Sequence, residues 1–271
     1  MYATNHLKSI SFLFALLCTS NLKTMSKPTN FVLIHGSCHG GWSWYKLAAL
    51  MKSSGHSVIA LDLAASGIDP HRANEIRSIS DYFKPLRDLM ADLPRHEKVV
   101  LVGHSSGGWA ISQAMELFPS RISVAVFVTA LMPGPALNIS VLNREAFKGQ
   151  GSPMDCRYTY ENGANKPPTT FIFGPLFLAS KVYQQSPSED LALATMLMRP
   201  VPLFSEEDMS KELMLSNDKY GSVTRIYIIS EKDILINKDI IKISEADHMT
   251  MMSKPLELWD HLQGIVEKYV S

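Results

Sequence analysis

From residue 31 onward the chain alternates short, continuous apolar runs with longer segments whose apolar residues recur three and four apart. A continuous apolar run of strand length fits a strand buried on both faces. An amphipathic segment between two such runs fits the crossover helix that parallel strands require. Strands are expected at 31–35, 58–63, 99–103, 123–130 and 225–230. Helices are expected at 42–54, closed by Gly55, at 79–93, closed by Pro94, and at 106–118, closed by Pro119, because glycine and proline sit where a helix has to stop. In the last segment, 256–270, Leu258, Leu262, Ile265 and Tyr269 recur at helical spacing, a stripe that packs on a core. The class is α/β, a mostly parallel sheet flanked by helices.

The texture changes between about 132 and 216, where prolines 133, 135, 153, 167, 168, 175, 187, 200 and 202 break up short helical pieces. This reads as a cap, about 134–216, inserted into a single domain spanning 25–271. Phe171, Phe173, Phe177, Leu178, Met196 and Leu197 are candidates to roof an apolar pocket, although packing the cap on the core accounts for most such residues.

Charge adds little, because 26 lysines and arginines balance 26 aspartates and glutamates and are scattered along the chain. No basic face for nucleic acid or an anionic membrane is evident, and a small neutral molecule is the expected partner. Three cysteines, Cys18, Cys38 and Cys156, form neither a disulfide framework nor a zinc pattern. Residues 1–24 read as an extension in which Lys8 precedes the apolar run 10–17, a weak signal-like segment too short to span a bilayer. Met25 is an alternative start, so the expectation is a cytoplasmic protein, or a secreted one if residues 1–20 act as a signal. A lone glycosylation sequon at Asn138 is the only other secretory hint.

Chemistry enters with Gly103-His104-Ser105-Ser106-Gly107, a G-x-S-x-G sequence after an expected strand and before an expected helix. A serine in so sharp a turn needs flanking glycines, and its hydroxyl then projects above the sheet with a helix N-terminus behind it. Ser105 is the candidate nucleophile. The loop 35–41, His-Gly-Ser-Cys-His-Gly-Gly, follows the first strand, so Ser37 N–H and Ser106 N–H are the expected oxyanion donors. Gly36 and His39 are expected beside the substrate, His35 in a supporting role and Cys38 as a small buried filler. The spacing of His35 and His39 falls on a strand end and loop rather than one helical face, so no metal is expected.

A serine needs a base and an acid that orients it, in the order Ser, Asp, His for this elbow. Downstream lie only His248 and His261. His261 falls in the last helix and His248 in the loop before it, which makes His248 the base. Asp233, three residues past the strand 225–230, is the first candidate acid and Asp239 the second. Asp247 is disfavoured because the neighbouring ring would have to fold back on it.

With these residues in view, the chain resembles the plant methylesterase and hydroxynitrile lyase family. The resemblance rests on FVLIHGSCHGGWSWYKL (31–47), GHSVIALDLAASGIDP (55–70), EKVVLVGHSSGG (97–108), ISVAVFVTALMP (122–133), FGPLFLASKVYQ (173–184), YGSVTRIYI (220–228) and ADHMTMMSKP (246–255). It implies the α/β-hydrolase fold, a triad of Ser105, Asp233 and His248, oxyanion donors at Ser37 and Ser106, a capped apolar pocket and no cofactor. Implied substrates are methyl salicylate, methyl jasmonate, methyl indole-3-acetate or an alkaloid methyl ester, with a homodimer as a possible assembly. Lyases of the family carry threonine at the position of Gly36 and lysine at that of Met249. Neither residue here offers the hydrogen bond or charge that cyanohydrin cleavage uses, which favours the esterase branch.

The chain departs from the family in two places. A pocket tryptophan is common near the position of Cys156. Relatives also place a helix and a strand between the acid and the base, whereas here only residues 234–239 precede the strand-like 240–244. A parallel crossover takes a dozen or more residues, and six extended residues reach about 20 Å. The expectation is therefore a missing helix between the last two strands, an extended connector, exposed apolar sheet surface there, and a strained or misplaced triad. Ester hydrolysis leads, hydroxynitrile cleavage is the alternative enzyme, and a binding homologue that has lost turnover is the alternative of another class.

Overall fold

The computed structural model describes residues 27–136, 152–233 and 241–270. In chain order the strands of the described residues are β1 (Asn30–Ile34), β2 (Ser57–Leu61), β3 (Val99–His104), β4 (Ile122–Val128), β5 (Arg157–Thr159), β6 (Thr170–Ile172), β7 (Val201–Pro202), β8 (Arg225–Ser230) and β9 (Ile241–Ile243). Six of them form one sheet in the order β2-β1-β3-β4-β8-β9, every pair parallel. The remaining three make a small antiparallel sheet, β5-β6-β7.

The apolar runs are continuous because both faces of the large sheet are covered. Val32, Ile34, Leu101, Ala125 and Phe127 pack into one core, while Phe31, Leu33, Val100, Val102, Val124 and Val126 pack into a second on the opposite face. Alternate residues of β1, β3 and β4 thus enter different cores, whereas the edge strand β2 is only half-buried.

Helices flank this sheet: α1 (Tyr45–Ser53), α2 (Ile79–Tyr82), α3 (Lys84–Asp92), α4 (Gly107–Leu117), α5 (Ser188–Leu197), α6 (Glu206–Glu212) and α7 (Pro255–Tyr269). Three expectations need correction. The helix expected at 42–54 begins as a 3-10 turn, Gly41–Trp44, before α1 takes over. The helix expected at 79–93 is two helices that meet at Phe83, because Pro85, in the first turn of α3, has no N–H with which to continue an α-helical ladder from α2. The strand expected to run to 130 ends at Val128, since Thr129 turns to a positive φ of 41°.

The residues between β4 and β8 carry the small sheet with α5 and α6, and buried polar anchors hold them down. Asp190 on α5 is fully buried and accepts hydrogen bonds from Tyr45 Oη at 2.7 Å and Lys46 Nζ at 2.5 Å, both on α1. Arg199 donates to the carbonyls of Gly67, Asp69 and His71 at 3.1, 2.5 and 2.5 Å.

The expected exposed apolar surface at the sheet end is not found on β8. Tyr227 and Ile229 are buried in the first core, Ile228 and the β9 residue Ile243 in the second, and only the start of β8, Arg225 and Ile226, is half-buried. Tyr220 and Val223 supply part of that cover on one face and α7 on the other. The connector 234–240, Asp239 with it, and the extension 1–24 lie outside the described residues. Among the described residues no helix is long and apolar enough to cross a membrane.

Candidate active site

β3 delivers its last residue, His104, into a tight turn in which Ser105 has φ 53°, a left-handed conformation that L-residues rarely adopt. The backbone around it allows no alternative. A Cβ on Gly107 would lie 2.6 Å from the carbonyl oxygen of His35, and one on Gly103 would lie 2.9 Å from Ile111 Cδ1. The Ser105 carbonyl is tied by Leu131 N–H at 3.0 Å and Gly108 N–H at 3.1 Å, and α4 starts two residues on. The positive end of that helix therefore lies directly behind the serine.

Gly36 lies against this turn, and a Cβ there would stand 2.8 Å from Ser105 Cβ and 3.1 Å from His104 Nδ1. Among the described residues, neither Ser37 N–H nor Ser106 N–H has a backbone acceptor. The two side chains hydrogen-bond each other, Oγ to Oγ, at 2.8 Å.

His248 sits in the loop before α7, 4 % exposed, with Nδ1 3.0 Å from Asp233 Oδ2. Asp233 is itself buried just beyond the end of β8, so the short interval does bring these two side chains together. Asp247 has a different task. Its Oδ2 accepts from Gln185 N–H at 2.9 Å and Ser186 Oγ at 2.8 Å, and its Oδ1 from Met249 N–H at 3.0 Å. His261 is half-buried on α7.

Two histidines of the loop after β1 are structural. His35 Nδ1–H donates to the Gly36 carbonyl at 2.8 Å, and Nε2 accepts from Leu63 N–H at 3.1 Å. His39, expected beside the substrate, is not among the cavity-lining residues. Its Nδ1–H donates to the Ser37 carbonyl at 2.8 Å while Nε2 accepts from Tyr183 Oη at 2.7 Å, so it holds the loop that carries Ser37. Burial pushes its pKa down to about 4. Burial likewise raises the Cys38 thiol to about 12, which keeps it protonated and unreactive.

His104, absent from the sequence-based candidates, touches His248. Its Nε2–H donates to the His248 carbonyl at 2.8 Å, the two rings lie 4.7 Å apart, and Thr129 Oγ1 reaches the same carbonyl at 3.3 Å. Burial and the nearby His248 hold the pKa of His104 well below its usual value. It occupies a free position of G-x-S-x-G, where the motif asks nothing of the side chain, so no sequence signal marks it.

An apolar cavity of about 250 Å³ meets the site at Ser37 and Ser106. Phe171 and Phe173 line it as expected from the sequence, together with Ile79, Trp109, Phe204 and Met209, which were not anticipated. The other roof candidates lie elsewhere. Phe177 and Leu178 are buried in the second core, and Met196 and Leu197 are 73 % and 42 % exposed. Cys156 is half-buried against that second core.

An all-parallel sheet with a serine on a strained turn after β3 and a histidine–carboxylate pair at the carboxyl ends of later strands defines a serine-hydrolase framework. The chain belongs to the alpha/beta hydrolase family, whose pattern it matches over residues 31–260. Several plant proteins are similar to it over nearly their whole length. It is 50% identical to methyl jasmonate esterase 1 of Vitis vinifera over 90% of this chain and 98% of that protein. It is 42% identical to salicylic acid-binding protein 2 of Nicotiana tabacum over 90% of this chain and 100% of that protein. Among solved structures, tomato methylketone synthase I complexed with 2-tridecanone superposes with a TM-score of 0.84 at 50% identity, covering 90% of this chain and 99% of that one. Polyneuridine aldehyde esterase superposes at 0.81 with 40% identity, covering 88% and 99%.

Proposed function

We propose that this chain is a serine carboxylesterase acting on methyl esters of small plant acids, with methyl salicylate, methyl jasmonate and methyl indole-3-acetate as candidates. Ser105 Oγ attacks the ester carbonyl while His248 takes its proton, and Asp233 holds the other ring nitrogen and steadies the imidazolium that forms. Ser37 N–H and Ser106 N–H receive the negative charge that develops on the carbonyl oxygen. Methanol leaves with the proton from His248, and water, deprotonated by the same histidine, hydrolyses the acyl-enzyme.

The observation that carries this reading is the 3.0 Å contact between Asp233 and His248, both buried, in the fold that places Ser105 on its strained turn. The names of the relatives point to methyl esters, and the cavity, at about 250 Å³, matches a small acyl group. Small-molecule sites of about 300–1,000 Å³ are the usual range, so bulky acids fit poorly. Cyanohydrin cleavage is disfavoured, because Met249 is fully buried and uncharged and Gly36 brings no hydroxyl.

The test is methanol release by purified protein from methyl jasmonate, methyl salicylate and methyl indole-3-acetate, with mandelonitrile as a fourth substrate. Turnover of at least one ester is expected, falling by at least about 10,000-fold in Ser105→Ala. Cyanide release without ester hydrolysis, or binding without any turnover, would overturn the reading.

A further inference from the structure

The cavity wall is apolar apart from a few hydroxyls and the Trp109 indole N–H, a donor without a hydrogen-bond partner among the described residues, and no charged side chain lines it. Of those hydroxyls, Tyr82 Oη has a neighbour in Ser66 Oγ at 3.4 Å, and Tyr158 is 41 % exposed on β5. The Ser37 and Ser106 hydroxyls differ from these in belonging to the same two residues whose N–H groups face the reacting carbonyl. Two hydroxyls have two protons between them, and the 2.8 Å bond between these two uses one. Neither makes another hydrogen bond among the described residues, so the second O–H and the remaining lone pairs have no protein partner and border the cavity.

We infer that this hydroxyl pair is a specificity element that selects acyl groups bearing an oxygen on the third carbon, counting the carboxyl carbon as the first. The inference rests on the ester-hydrolase reading and deepens it. The geometry follows from covalent structure. A carbonyl oxygen held by Ser37 N–H and Ser106 N–H places the first atoms of the acyl chain beside the Oγ atoms of the same residues. A keto, hydroxyl or ortho-phenolic oxygen on the third carbon comes within reach of the unpartnered O–H. An unsubstituted hydrocarbon acyl group leaves that O–H buried without an acceptor, which is the costlier outcome in an apolar wall.

The experiment compares esters that differ only in that oxygen: methyl 3-hydroxyoctanoate with methyl octanoate, and methyl salicylate with methyl benzoate. The wild type is expected to prefer the oxygenated member of each pair by roughly 3- to 10-fold in kcat/KM, the worth of about one hydrogen bond. In the double variant Ser37→Ala, Ser106→Ala that ratio collapses towards one, whatever happens to the absolute rates. In each single variant it falls part of the way, because the remaining hydroxyl is released to face the ligand, and the singles also serve should the double variant fail to fold. A ratio near one in an active wild type overturns the inference. So does a double variant that loses both members of a pair equally, which would make the bond a brace for the oxyanion loops.

Binding of the free acids to Ser105→Ala, read by calorimetry, separates this idea from the reaction itself. Tighter binding of the 3-oxygenated acid that vanishes in the Ser105→Ala, Ser37→Ala, Ser106→Ala variant supports the pair even if no ester is turned over. Equal binding of both acids counts against the pair even if esters are hydrolysed.

Discussion

At the scale of single residues, the site combines strain with neutrality. Ser105 sits at φ 53°, at a cost of order 1–3 kcal/mol that packing around the turn has to offset. The room beside it is already filled. Gly36→Thr is expected to lower kcat/KM for methyl jasmonate by about 10-fold or more, since even its Cβ would press to 2.8 Å from Ser105 Cβ, and ester kinetics check this. Asp233→Asn is expected to cost roughly 1,000- to 10,000-fold in kcat with KM little changed, because the histidine would lose its orienting carboxylate.

The buried histidines make a separate prediction. Burial lowers the pKa of His35, of His39 to about 4, and of His104, whereas each titrates near 6.5 in the unfolded chain. Between about pH 4 and 6.5 the unfolded chain therefore binds more protons than the fold. Stability is complete above that window, declines as pH falls through it, and levels off for His39 below pH 4. Melting temperatures should drop from pH 6.5 towards 4, and His39→Gln should show the shallower slope. The sharp turn at Ser105 and the meeting of His248 with Asp233 were legible in the sequence, because the nucleophile motif and the expected order of its partners leave few choices. His104 was not, because its contact is to a backbone carbonyl that any residue at position 248 would supply.

At the scale of elements, the strands were legible because burial on both faces writes an uninterrupted apolar run, and each of the five expected strands overlaps an observed one. Helix limits were read less well. The break at Phe83 depends on a proline that also suits the first turn of a new helix, so the pattern alone reads as one helix. The small sheet was invisible for a simpler reason: β5, β6 and β7 are three, three and two residues long, too short to show an alternation. The polar anchors of this region carry its stability. Asp190 is fully buried between Tyr45 and Lys46, and Asp190→Ala would leave the Lys46 ammonium without its carboxylate. A loss of about 2–4 kcal/mol is expected, with a melting temperature lower by several degrees, measurable by differential scanning calorimetry.

At the scale of the whole molecule, the α/β-hydrolase framework followed from a few signals that agree: parallel-type strands, a nucleophile turn at the third of them and a histidine before the last helix. The short interval between acid and base misled in one respect, since β8 is covered. Part of the cover comes from Tyr220 and Val223 on one side and α7 on the other, elements whose proximity no local pattern encodes.

Asp247 links two parts of the molecule that the chain keeps far apart. One carboxylate oxygen grips the residues 185–186 that lead into α5, the other the backbone beside His248. The segment that leads into α5 and the loop that carries His248 therefore share a joint. Residues 185–186 line no part of the cavity, so this joint would steady the His248 loop from outside the substrate's reach. Asp247→Asn, which keeps the shape and removes the charge, should relax that link. Its melting temperature is expected to fall, and kcat for methyl salicylate to fall with KM little changed, since relaxing the link loosens the His248 loop without touching the cavity wall.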